Sequence, residues 1–265
     1  MNFDPTACPD RAAGVARSRY VPSMAANGSP FRRARRVEQA PIAGADETYA
    51  RWHEQVELVV EDDGTRIWRR LRDGAWHRED GPAVERPDGT QAWYRDGALH
   101  RDDGPAVVGA DGTLEWYRSG KLHRDDGPAV LWHNGVREWY RDGELHRDDG
   151  PAFVEPNGHR YWFQHGEPRG LDGAPSIELA SGTRWWVNAE QKLHREDGPA
   201  VIEPDGTHVW YRNGKRHRDD GPALIEPDGT YAWYRDGVRH RDDGPALEFP
   251  DGNRLWFRGG VLHRD

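Results

Sequence analysis

From about residue 56 to residue 265, apolar and polar positions recur in a word of 23 residues. Tryptophan marks the same place in each copy, at Trp68, Trp93, Trp116, Trp139, Trp162, Trp186, Trp210, Trp233 and Trp256. Within a copy the apolar residues alternate with polar ones, the period of a half-buried strand and not of a helix. One full copy runs from Trp93 to Glu115 and holds two strand candidates and two turns. The pairs Asp73-Gly74, Asp96-Gly97, Asp142-Gly143, Asn213-Gly214 and Asp236-Gly237 follow the aromatic strand. They are the residues a two-residue type I′ hairpin requires, because both central positions need positive φ. The second turn reads Pro-Asp-Gly-Thr at 87–90, 204–207 and 227–230, which predicts a slightly longer loop with glycine left-handed.

Alternation separates two faces. Ile67, Ala92, Val209 and Leu255 before the tryptophan, with Tyr94, Tyr117, Phe163, Tyr211, Tyr234 and Phe257 after it, point one way; Glu115 and Glu138 are the polar exceptions. The tryptophan shares the other face with Arg66, Arg137, Arg160 or Arg254 two residues before and Arg95, Arg118, Arg212 or Arg235 two residues after. Stacking of those guanidiniums on the indoles is expected. A fixed period of this length marks an architecture in which no unit folds alone and neighbours complete each other's core. The predicted fold is all-β: an elongated, twisted β-hairpin meander or solenoid of about nine repeats with two strands each, over 56–265.

At 35% hydrophobic residues the chain is too polar for one large globular core, yet its periodic aromatics argue against disorder. A single cysteine, Cys8, excludes an internal disulfide. Residues 1–45 lie outside the pattern, are rich in Ala, Pro, Ser and Arg, and are expected to be a disordered arm. Seven arginines against five acidic residues make 1–50 weakly basic; the remainder carries 30 basic and 41 acidic side chains. Tyr49, Trp52 and Val56 at helical spacing, with Asp46 as N-cap, predict a short capping helix over 46–55. The strand near Leu255–Arg258 is expected to present an edge open to self-association. No run resembles a membrane helix or the core of a signal peptide, so a cytoplasmic protein is expected.

The phrase His-Arg-Asp-Asp-Gly-Pro-Ala is the tempting catalytic or metal motif. Its recurrence at His77, His100, His123, His146, His194, His217 and His240 argues for structure instead. Equivalent side chains two strands apart lie ~10 Å from each other and cannot share an ion whose ligands sit at ~2.1 Å. No catalytic residue, metal site or cofactor is therefore expected. His100, His123, His146, His217 and His240 are assigned with Trp93, Trp116, Trp139, Trp162, Trp210, Trp233 and Trp256 to the repeat framework. Irregularity carries the candidate binding residues. The stretch 164–193 replaces the histidine by Arg169 and gains residues before Gly182 and around Asn188 and Glu190, while Trp76, Trp132 and Trp185 stand where other copies are mostly not aromatic.

An aromatic followed by Asn/Asp-Gly, two residues and His, then a strand and a second Asp-Gly, at a period of 23, resembles the MORN repeat family. Tyr94, Gly97, His100 and Gly112 occupy places like those of that family's aromatic, turn glycine, histidine and second turn glycine. This chain departs from it in having Arg after the His, and Gly-Pro-Ala after the acidic pair. The resemblance implies a scaffold or interaction surface. The leading expectation is a non-enzymatic repeat scaffold that binds a protein partner through an aromatic and charged strip. The alternatives are an antitoxin or immunity-type inhibitor of a basic toxin or nuclease, as in variant MORN-like antitoxins, and a glycan (cell-wall) binding module. Nucleic acid and membrane surfaces are disfavoured by the acidic balance of the repeats.

Overall fold

The computed structural model describes residues 35–37, 56–170 and 173–263, and these fall into two compact units, one ending at His146 and the other beginning at Arg147. Three residues of the expected arm, Arg35–Val37, form a strand antiparallel to Leu58–Val60. The rest of 1–45 and the expected helix over 46–55 lie outside the described residues.

Both units are antiparallel β throughout. In the first, Val56–Val60 pairs with Arg66–Arg70, which pairs with Val84–Glu85, and the ladder continues through Gln91–Ala92, Val107–Val108, Leu114–Glu115, Val130–Leu131 and Arg137–Glu138. In the second, Phe153–Val154, Arg160–Tyr161, Ile177–Glu178 and Arg184–Trp185 lead into Val201–Ile202, His208–Val209, Leu224–Ile225, Tyr231–Ala232, Leu247–Glu248 and Arg254–Arg258. Beside each ladder stand small hairpins such as Tyr94–Arg95 with Ala98–Leu99 and Tyr211–Arg212 with Lys215–Arg216.

Aromatic strands such as those at Trp93, Trp116, Trp210 and Trp233 are therefore divided between two ladders at the tryptophan, whereas Arg66–Arg70 runs unbroken through Trp68. Trp93 donates its N–H to the carbonyl of Ala106 at 2.7 Å, while its own carbonyl accepts the N–H of His100 at 3.1 Å. The same exchange recurs at Trp116, Trp210 and Trp233. Two partners on opposite sides of one residue oblige the chain to leave the long ladder and enter the side hairpin there. The expectation of two strands per copy thus resolves into two pairs of two-residue strands.

The turns follow the sequence closely. Asp96 and Gly97 have φ of 54° and 79°, both left-handed, as a type I′ turn requires. In the Pro-Asp-Gly-Thr loop the Asp88 carboxylate accepts the N–H of Thr90 at 2.8 Å and Arg86 takes the N–H of Gly89 at 3.0 Å. The core lies on the predicted face: Ala92, Tyr94, Tyr117, Phe163, Val209 and Tyr211 are buried, joined by the alanine of each Gly-Pro-Ala, which has no exposed surface at Ala83, Ala106, Ala129, Ala152, Ala200, Ala223 and Ala246. At the far end, Arg254–Arg258 pairs with Leu247–Glu248 and Val261–His263, leaving Leu255, Val261 and Leu262 exposed. No helix among the described residues is long and apolar enough to cross a membrane.

Candidate functional site

The recurrent phrase folds into a loop in which the arginine, the histidine and the acidic pair each hold a defined place, as the copy at His100–Ala106 shows. Arg101 lies with its guanidinium carbon 4.1 Å from the ring centroid of Trp93. Its Nε donates to Asp103 Oδ1 at 2.8 Å and its Nη1 to the carbonyl of Pro105 at 3.3 Å. A Cβ at Gly104 would stand 3.1 Å from the Arg101 guanidinium carbon, so any larger residue there presses on the stack. The stack recurs at 4.0–4.2 Å for Arg78 on Trp68, Arg124 on Trp116, Arg195 on Trp186, Arg218 on Trp210 and Arg241 on Trp233.

This corrects the expected stacking partner. The arginines two residues from the tryptophan have other work: Arg95 Nη2 donates to Asp102 Oδ2 at 2.5 Å, and Arg212 and Arg235 do the same to Asp219 and Asp242. Arg137, 6.0 Å from the Trp139 centroid, approaches the expected arrangement. Alternation correctly places these arginines and indoles on one face; the loop then returns a different arginine onto the ring.

The histidine joins consecutive hairpins. His100 Nδ1 accepts the backbone N–H of Ser119, 19 residues on, at 3.1 Å, and the same bond joins His77 to Asp96, His194 to Asn213 and His240 to Gly259. An accepting Nδ1 places the ring proton on Nε2, which donates to Asp102 Oδ1 at 2.8 Å. The next turn residue is held too, Gly120 donating its N–H to the carbonyl of Leu99 at 2.8 Å. Both N–H groups of turns such as Asp96-Gly97, Ser119-Gly120, Asn213-Gly214 and Gly259-Gly260 are thus taken by the preceding hairpin.

Where the first acidic residue is Glu, this arrangement opens. Glu196 Oε1 stands 3.9 Å from His194 Nε2 with its side chain 91% exposed. His77, followed by Glu79, is buried and its Nε2 has no hydrogen-bond partner.

The carboxylates themselves face outward. The second Asp of each phrase, at Asp80, Asp103, Asp126, Asp149, Asp197, Asp220 and Asp243, is pinned by its own arginine at 2.7–3.1 Å while its side chain remains 77–85% exposed. Hydrogen bonding from Arg101 holds Asp103 below the usual carboxylate range; Arg95 first and His100 second do the same for Asp102. Between adjacent loops lie open clefts. One of about 1010 Å³ runs between Arg78–Pro82 and His100–Asp103 with Trp93 in its lining, and one of about 800 Å³ between Arg195–Pro199 and His217–Asp220 with Trp210.

No family model and no curated protein matches this chain.

A second polar cluster occupies the inner face of the first unit. Glu115 is 2% exposed and accepts the Tyr117 hydroxyl at 2.8 Å; Glu138 is also buried and accepts the Trp132 indole N–H at 2.8 Å. Burial pushes both carboxyls above their ordinary range, and Glu115 pushes Glu138 further. Burial, followed by the charge of Glu138, also pushes the Tyr140 phenol up. Trp132 is thereby engaged inside the molecule.

The other candidate binding residues are dispersed. Trp185 takes the inner-face place that Ala92 and Val209 hold in other copies, between Ile177 and Val201. Trp76 packs edge-on against Tyr94 with centroids 5.0 Å apart. Asn188 accepts the N–H groups of Glu190 and Lys192 and donates to Asn213 Oδ1, Glu190 pairs with Lys192 at 2.7 Å, and Arg169 donates its N–H to the carbonyl of Trp162 at 2.9 Å. Asn188 and Glu190 meet in one turn, while Trp76 and Trp132 belong to the first unit and Arg169 and Trp185 to the second. Among the described residues no group of three or more His, Cys, Asp and Glu is arranged to hold a metal ion. Sequence reasoning missed the clefts and the exposed row of second Asp residues; their signal was the acidic pair at a constant distance from each tryptophan.

Proposed function

We propose that this chain is a non-enzymatic hairpin-repeat scaffold of about nine repeats, extended in the manner its MORN-like motifs imply, that binds a basic protein partner along the row of aspartates. The observation that carries this reading is the second Asp of each phrase, exposed yet fixed by an arginine that is itself stacked on tryptophan. Such carboxylates lose little side-chain freedom on binding, and the held-down pKa of Asp80, Asp103, Asp126, Asp149, Asp197 and Asp220 keeps those six charged. The indole faces support a protein ligand over a glycan, since a guanidinium already covers one face of each stacked ring. An inhibitor of a basic toxin or nuclease is a special case in which the partner is an enzyme.

The test is titration of the full chain with fluorescent poly-lysine at low and high salt. The expected result is saturable binding that weakens steeply with salt and is reduced in an Asp103→Asn, Asp126→Asn, Asp220→Asn variant of unchanged fold. Equal binding by the variant, or none by either, overturns the proposal. Salt-sensitive inhibition of a small basic ribonuclease would single out the inhibitor case.

A further inference from the structure

In the second unit, two copies depart from the pattern that places an apolar residue before the histidine. Leu122, Leu145 and Leu193 hold that place as buried side chains, whereas Arg216 and Arg239 hold it before His217 and His240. Each arginine stands directly across its side hairpin from a tyrosine, Arg216 from Tyr211 and Arg239 from Tyr234, as Leu122 stands across from Tyr117. A cation is thus set in a row built for hydrocarbon. Arg216 Nε donates to the Tyr211 hydroxyl at 3.2 Å and its Nη1 to the Tyr234 hydroxyl at 3.5 Å, with its guanidinium carbon 5.4 Å from the Tyr234 ring centroid. Arg239 repeats the arrangement one copy on: its Nε donates to the same Tyr234 hydroxyl at 3.3 Å, and its guanidinium carbon lies 5.4 Å from the Phe257 centroid. Both arginines are half-buried, and neither forms an ion pair with a carboxylate among the described residues.

Guanidinium groups drawn into a core are ordinarily matched by carboxylates, and the arginines stacked on Trp68, Trp93, Trp116, Trp186, Trp210 and Trp233 each hold an aspartate. Arg216 and Arg239 have neutral phenols instead, which leave their charge uncompensated. The Tyr234 hydroxyl adds a third donor. Its oxygen accepts from both arginines, so its own proton goes to neither, and no described residue accepts it. We infer that Arg216, Arg239 and Tyr234 form a binding site for an oxyanion, the carboxylate or phosphate group of a ligand. Two guanidiniums tied to one phenol oxygen are close enough to share a single oxyanion, and their remaining N–H groups are the forked donors that carboxylate and phosphate oxygens accept. The phenol O–H completes the set without adding charge. The site makes no use of the aspartate row, so it stands or falls separately from the proposed function.

Calorimetric titration of the full chain in a chloride buffer of constant ionic strength, with glutarate in one series and inorganic phosphate in another, tests this. Saturable binding of one equivalent is expected for at least one of them, and the tighter of the two identifies the ligand group as carboxylate or phosphate. Tyr234→Phe keeps the ring and removes the third donor, so binding about tenfold weaker is expected, close to 1.4 kcal/mol. Arg216→Leu with Arg239→Leu installs the residue that Leu122 and Leu145 carry in this place. That double variant should melt no lower than the parent chain and bind neither anion. Absence of saturable binding to both anions overturns the inference. Undiminished binding by the double variant also overturns it, since the anion would then sit on other cations of the chain.

Discussion

Arg101 shows how one side chain can serve packing, turn geometry and charge together. It covers Trp93, ties Asp103 and satisfies the Pro105 carbonyl. Arg101→Lys keeps the charge but loses the planar stack and the fixed fork, so a loss of ~1 to 2 kcal/mol is expected in denaturant unfolding. Gly104→Ala should act on the same stack, since the new methyl displaces the guanidinium, and the indole fluorescence should shift with it. The buried pair Glu115 and Glu138 makes an opposite kind of prediction. Their carboxyls are raised above the ordinary range in the folded chain. The stability that the neutral form contributes is complete below the ordinary glutamate pKa of about 4.3 and is lost as pH rises through the raised values. Glu138→Gln, which retains an acceptor for the Trp132 indole, should therefore stabilise the first unit at neutral pH by ~1 to 2 kcal/mol and flatten its dependence on pH. A thermal melt series that leaves the two chains parallel would refute this. Alternation along the strand exposes these two glutamates as exceptions in the sequence; Trp132, the partner of Glu138, sits in a neighbouring loop and could not be read from it.

At the scale of elements, the type I′ turns were legible because their chemistry is local: two left-handed residues and Asp-Gly or Asn-Gly to supply them. Ser119 is an informative departure, holding a φ of 50° where Asp96, Asp142, Asn213 and Asp236 stand in other copies. Ser119→Asn should raise stability by ~0.5 to 1 kcal/mol, measured by denaturant midpoint, provided the N–H to His100 Nδ1 is kept. The division of such aromatic strands at the tryptophan was not legible. It depends on which groups stand beside Trp93, the carbonyl of Ala106 and the N–H of His100, which come close only after pairing. For the same reason the stacking arginine was misassigned: alternation brings Arg95 to the face of Trp93, but the return of the loop brings Arg101 closer.

At the scale of the molecule, copies within each unit complete one another by ladder pairing and by the histidine bond to the following turn. Removal of one whole word, residues 94–116, should leave a cooperatively folding chain with a proportionally smaller denaturant slope, whereas removal of 94–104 should not fold, because only the whole word restores register. The aspartate row has its own dependence on pH. The carboxyls of Asp102, Asp103, Asp125, Asp126, Asp219 and Asp220 are held below the ordinary range, so the row stays ionised as pH falls through about 4. Poly-lysine binding is expected to persist at that pH and to fail only in stronger acid.

The sequence by itself determined the all-β class, the period, the two turns of each copy and the face that becomes the core, because each of these depends on neighbours within a few residues. It also determined that the chemistry is distributed in many equal copies. Tertiary structure alone decided which arginine meets which tryptophan, where the histidine proton sits, how Glu115 and Glu138 come to be buried, and that clefts open between successive loops. Each of these joins groups from different strands or different copies, and their distances exist only once the ladders have paired.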